Sequence, residues 1–153
     1  MNIKLSFSYI GLIVFALPML INIVYAIFPP VGEVSESSAV THWVETVEKV
    51  SRIAYLFAVT LLVGKNSISF RSVWLYLAAV FLILYYAVWI RYFVGGRSVE
   101  LLGKPFLFVP MPLAVFPVLY YLFSAIWLGN IPAAALMVIF GAAHLTVSVQ
   151  SFR

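Results

Sequence analysis

Residues 41–55, THWVETVEKVSRIAY, hold most of the groups in this chain that can do chemistry. On a helix turning about 100° per residue, Thr41, Glu45, Glu48, Arg52 and Tyr55 share a stripe about 80° wide. Carboxylates beside a guanidinium on one face suit an internal ion pair, a titrating group, or a clasp for a charged headgroup. Glu48 precedes Arg52 by four residues and Glu45 precedes Lys49 likewise, the order in which a helix pairs them best. A structural Glu48–Arg52 pair and a binding or proton-handling role both remain open.

Other polar groups fall at matching depth. At 1.5 Å per residue, Asn22 lies about 9 Å before Phe28 and His144 about 7.5 Å before Val149. Arg91 and Tyr92 close a segment that also carries Tyr85, Tyr86 and Trp89. Asn22, Glu45, Glu48, Arg52, Arg91, Tyr92 and His144 are therefore the candidates for one polar chamber. Each has a plainer alternative. Arg91 suits a snorkelling anchor at the headgroup level, and His144 suits a hydrogen bond between packed helices. His42 suits a solvated position. Tyr85, Trp89 and Tyr92 suit packing or an interfacial belt, and Gly141, Ala142 and Ala143 suit close helix approach.

Several chemistries are excluded. The chain has no cysteine, so disulfides, thiolate nucleophiles and thiolate metal sites are absent. All five acids are glutamates, and Asp pairs are ruled out with them. His42 and Glu45 form an H-x-x-E pair, but His144 sits at a different depth, so no metal is expected. No cofactor is expected either: His144 alone suits a haem ligand, and phosphate-loop, dinucleotide and hydrolase-elbow motifs are missing. The net charge is +4, but the nine Lys and Arg are scattered singly, which gives no nucleic-acid surface.

The elements that position these groups follow from composition. Of 153 residues, 65% are hydrophobic, 17% aromatic and 9% charged; a soluble domain carries about 25% charged residues. The expectation is an all-α, polytopic transmembrane bundle forming a single domain over residues 1–153. Crossing a bilayer core of about 30 Å takes about 20 helical residues. Five segments qualify: Leu5 to Phe28, Thr41 to Val63, Val73 to Phe93, Met111 to Leu128, and Ile131 to Val149. Trp43, Trp74, Trp89 and Trp127 each fall near a segment end, where tryptophan favours the headgroup level. Lys4, the long apolar run and Val24-Tyr25-Ala26 also fit a cleaved signal peptide, although the run exceeds a usual signal core.

With Met1 on side A, the loops at Gly64 to Ser72 and Gly129-Asn130 share that side. The loops at Pro29 to Val40 and Arg91 to Pro105, with Arg153, lie on side B. Lys and Arg are nearly balanced between sides, and Lys4 before the first helix favours a cytoplasmic side A. The side A half of every helix is almost purely apolar, so the chamber should open to side B. Pro29-Pro30 ends the first helix, Ser38 or Thr41 caps the second, and Pro132 suits the first turn of the fifth. Pro105, Pro110, Pro112 and Pro117 crowd the fourth segment, and Pro117 frees the Leu113 carbonyl. Either Phe106 to Met111 folds inward or along the interface, or the helix starts at Met111 and bends.

The stretches SFSYIGLI, YYAVWIRYF and FGAAHLTV resemble an uncharacterised family of small bacterial multi-pass membrane proteins with four to five helices. The resemblance spans most of the chain but is close only in those stretches. Arg91, Tyr92 and His144 match its pattern, as does a Glu-bearing start to the second helix, while the proline-rich approach to the fourth helix is denser here. It implies a bacterial plasma membrane and adds no mechanism. The expected role is binding a small or amphipathic ligand, such as a lipid headgroup, or a membrane partner or second copy, through the chamber. The alternative is an intramembrane enzyme or proton-coupled carrier using Glu48, Arg52 and His144.

Overall fold

The computed structural model describes residues 3–31, 42–64 and 68–151. Their elements are β1 (Ile3–Leu5), α1 (Tyr9–Ile27), α2 (His42–Leu61), β2 (Leu62–Gly64), α3 (Val73–Val94), α4 (Glu100–Gly103), α5 (Pro112–Trp127) and α6 (Ile131–Ser151). The expected all-helical bundle is present, with two short strands besides. Tyr9–Ile27, Val73–Val94 and Ile131–Gln150 are long and apolar enough to cross a membrane. Helix α2 is set apart by its charges, and the 16 residues of α5 span only about 24 Å.

The helix starts and stops follow local chemistry. Ser8 caps α1 by accepting a 2.9 Å hydrogen bond from the Gly11 amide, so the helix begins at Tyr9 rather than Leu5. Residues Ile3–Leu5 instead pair antiparallel with Leu62–Gly64, Lys4 opposite Val63. The pairing continues as the Ser6 and Ser8 amides donate to the Leu61 and Thr60 carbonyls. These carbonyls end α2 and have no partner within the helix. The caps expected at Ser38 or Thr41 lie outside the described residues. Met111, in the left-handed region at φ 55°, precedes α5, whose first residue is Pro112. The chain before it is a tight turn, Phe106 bridged to Val109, not a further length of helix.

The five long helices alternate in direction. At one end the N-terminal strand meets the end of α2, and the Trp127 Nε1–H donates to the Ser69 carbonyl at 2.9 Å. At the other end the Val31 amide donates to the Arg97 carbonyl at 3.0 Å. Helix α6 packs between α2 and α5, α3 packs on α5, and α1 lies against α2, α3 and α5. A Cβ at Gly11 would stand 1.9 Å from the Val59 carbonyl oxygen, so only glycine lets α1 approach α2 there. The outer faces stay apolar: Ile13, Ile23, Ile83, Ile90, Val138 and Ile139 are all exposed.

Asn130 locks the strand-paired end. Its Oδ1 accepts from the Ala133 amide at 3.0 Å, capping α6. Its Nδ2 donates to the carbonyls of Ala58 and Leu62 at 2.8 and 2.6 Å. The side chain is 1% exposed, so its removal strands two carbonyls and one amide in a dry interior. Unsatisfied buried groups cost about 1–3 kcal/mol each and a lost cap about 1 kcal/mol. Asn130→Ala should therefore lower the stability by about 3–7 kcal/mol, read from unfolding in detergent. Asn130→Asp, which keeps the cap but sets a carboxylate oxygen against the Ala58 and Leu62 carbonyls, should destabilise at least as much; wild-type stability in both variants would refute the role.

Candidate functional site

The five long helices do not close at the centre of the bundle. They leave a cavity of about 280 Å³ whose wall takes residues from every one of them. From α1 come Phe15, Met19, Asn22 and Tyr25; from α2, Arg52 and Tyr55; from α3, Tyr85 and Trp89. Helix α5 supplies Leu113, Pro117 and Tyr121, and α6 supplies Met137, Phe140 and His144. A second cavity of about 200 Å³ adjoins it, sharing Tyr25, Trp89, Leu113 and His144. Its other residues, Leu102, Met111 and Ser148, place it toward the end of the bundle that carries α4.

Proline explains part of the opening. Pro117 has no amide to donate, which frees the Leu113 carbonyl, and both residues line the cavity. Irregular backbone at membrane depth is tolerated where it is buried in protein or faces a wet cavity. Pro18 does the same in α1, but there the freed Val14 carbonyl accepts the Tyr120 hydroxyl at 2.9 Å. Around the wall the tyrosine hydroxyls donate inward to protein. Tyr55 donates to the Tyr121 carbonyl, Tyr121 to the Phe15 carbonyl, and Tyr85 to Asn22 Oδ1 at 2.7 Å.

Three of the seven residues singled out from sequence line the cavity: Asn22, Arg52 and His144. Glu48 stands one bond behind, with its Oε1 3.1 Å from His144 Nδ1. The His144 ring is held by stacking on Phe140, one helical turn earlier, at 5.0 Å between centroids. The expected Glu48–Arg52 pair is replaced by this contact between helices. Neighbouring α6 offers a nitrogen directly opposite the carboxylate, while Arg52 turns along the cavity wall. Among the described residues the other ion pair is Glu45–Lys49 at 3.6 Å, formed as expected but away from the cavity lining.

Arg91 and Tyr92 are not part of the lining. Arg91 folds onto the chain after α4, donating to the carbonyls of Leu101, Lys104 and Pro105 at 3.2, 2.8 and 2.9 Å. Its guanidinium also lies 5.3 Å from the centre of the Phe106 ring. It clamps α4 and the chain that follows it. Tyr92 is fully buried among Tyr25, Trp89 and Phe93. Trp89, placed by its spacing near an interface, is buried in the bundle and lines both cavities. The lining residues that polarity alone does not point to are aromatic or thioether-bearing: Phe15, Met19, Tyr121, Met137 and Phe140. Their only signal in the chain is shared depth on three separate helices.

No protein-family model, curated protein or solved structure matches this chain. The geometry stands on its own: an apolar, aromatic cavity with a cation, an imidazole and an amide on its wall. The Glu48–His144 contact is a claim about pairing that a double-mutant cycle can measure. A charge-assisted bond contributes about 1.5–3 kcal/mol in proteins, and bonds between membrane helices average below 1. The Glu48→Gln/His144→Ala cycle should give a coupling of about 1–2 kcal/mol in unfolding stability, and the Glu48→Gln/Arg52→Gln cycle a smaller one, because the Arg52 charge also favours the Glu48 carboxylate. The reverse ranking would restore the pair within α2.

Proposed function

We propose that this chain is a small five-crossing integral membrane protein that binds a small or amphipathic ligand in the cavity between its helices. The observation that carries the reading is the cavity lining, which draws on all five long helices and gathers Asn22, Arg52 and His144 within an otherwise apolar wall. Binding sites combine such an apolar body with a few placed polar groups.

Three apolar helices, their exposed apolar outer faces and the alternating helix directions support five crossings. In α2 the charges fall in the half toward His42, with Glu48 against α6 and Arg52 at the cavity, and the two short lengths, α4 and the Phe106 turn, precede α5. The resemblance to small bacterial multi-pass proteins goes with this reading, as do a bacterial plasma membrane and a cytoplasmic N-terminus. A retained first helix is also part of it, because Tyr86, Tyr120 and Tyr121 all donate to carbonyls of α1. A membrane protein partner or a second copy of the chain is the other occupant compatible with the open end.

The cavity is partly open to its surroundings and carries polar groups on its wall, so it takes up water, lipid or a ligand rather than standing as a dry void. The second reading, a proton-coupled carrier or intramembrane enzyme, draws on one observation: Glu48 and His144 form a titratable pair at the rim of the cavity.

Native mass spectrometry of full-length protein in a mild detergent tests the binding reading. A retained molecule of a few hundred daltons is expected on the wild type. It should be lost from Leu113→Trp, which fills the passage shared by the two cavities. Bare wild-type protein, or the same adduct on the filled variant, would count against a ligand in this cavity.

A further inference from the structure

We propose that the cavity selects a ligand with an anionic head, a carboxylate or phosphate seated on Arg52, and a compact apolar body. This inference rests on the binding reading above and specifies the chemistry of that ligand. It follows from which hydrogen-bonding groups on the wall are already used.

Arg52 lines the cavity while remaining exposed, and among the described residues no carboxylate lies within ion-pair distance of it, since Glu45 holds Lys49 and Glu48 faces His144. A guanidinium offers five N–H donors and no acceptor. Trp89, itself buried, lines both cavities, with its Nε1–H beside the Tyr85 hydroxyl. Asn22 spends its oxygen on the Tyr85 hydroxyl, and its amide meets only the sulfur of Met19, at 3.9 Å. The hydroxyls of Tyr55, Tyr85 and Tyr121 already donate within the protein. Apart from the Leu113 carbonyl freed by Pro117, the unspent groups named on the wall are donors beside a positive charge. A carboxylate or phosphate, which offers only acceptor oxygens, complements it; an ammonium finds no free carboxylate there.

Size sets the rest. At about 30 Å³ per water-sized group, a cavity of about 280 Å³ takes roughly nine such groups. The smaller adjoining cavity leads from it toward the end of the bundle with α4. A single short chain with a charged head fits, whereas a whole diacyl lipid does not. A lipid can present only its head or one chain end. Two sources share this chemistry: a free amphiphilic anion, or the anionic head of a membrane lipid.

The test uses full-length protein stripped of lipid in dodecylmaltoside and titrated calorimetrically with octanoate, octan-1-ol and octylamine. Octanoate should saturate one site, with octanol about tenfold weaker or more and octylamine not binding. Arg52→Gln should weaken octanoate by about 10–100-fold, the range of a charged hydrogen bond, while Arg52→Lys stays within a few-fold of wild type. Unchanged octanol binding by Arg52→Gln shows that the variant is folded and its cavity intact. Equal affinity for octanoate and octanol, or no effect of Arg52→Gln on octanoate, would overturn the anionic head and leave the binding reading standing. If none of the three probes binds the wild type, the binding reading itself fails. In nanodiscs, competition by phosphatidylglycerol but not phosphatidylcholine assigns the head to a lipid. Its absence with octanoate still bound assigns it to a free anion.

Discussion

In an apolar solvent, a backbone carbonyl released from its helix must find another donor inside the protein, because the surroundings offer none. That constraint organises this bundle through tyrosine. Pro18 interrupts α1, and the Tyr120 hydroxyl takes up the Val14 carbonyl it releases. Tyr121 and Tyr86 reach the neighbouring carbonyls of Phe15 and Leu17 at 2.9 and 2.6 Å. Four consecutive positions, Val14 to Leu17, thus carry three bonds from α3 and α5. Helix α1 is held by hydroxyls rather than by a broad interlocked surface, apart from its close approach to α2 at Gly11.

The same device holds the bundle open. A tyrosine whose hydroxyl is tied to a distant carbonyl cannot swing to fill space beside it. Tyr55, Tyr85 and Tyr121 are buried and bonded, so their rings become fixed wall. Proline contributes on the opposite side, where Pro117 prevents α5 from closing its own turn over Leu113. Large rigid groups leave an irregular remainder, which small flexible ones would have collapsed. The cavity is therefore a consequence of how the backbone is satisfied, and the polar groups at its wall inherit their positions from that network.

Much of the helical layout is legible in the chain because it depends on local rules. Pro29-Pro30, Gly129-Asn130 and Pro132 mark breaks that the helices respect, and His144 signals its place on the cavity wall by being polar within an apolar helix. What stays hidden depends on partners far apart in sequence. Nothing near Ile3–Leu5 announces a strand, because its partner, Leu62–Gly64, is brought to it by the descent of α1 and the return of α2. Asn130 reads as a turn residue, yet its amide closes the end of α2 from 68 and 72 residues away. Arg91 reads as an anchor because its acceptors, the carbonyls of a four-residue helix and the chain after it, carry no side-chain signature.

The exchange of partners at Glu48 shows why spacing on one helix is a weak guide to pairing inside a bundle. An i, i+4 pair gains only about 0.2–0.5 kcal/mol where water competes, so a partner across the interface displaces it easily. His144 is such a partner: it is fixed by stacking on Phe140 and already inside, and it satisfies the carboxylate without drawing a long flexible chain out of extension. Satisfying Glu48 from α6 leaves Arg52 on the same stripe without a carboxylate among the described residues. Had Glu48 paired within its own helix, the wall would be electrically quiet and His144 would be left to pack. Because the pairing runs between helices, Arg52, exposed yet lining the cavity, is left to give that wall a positive sign among the described residues.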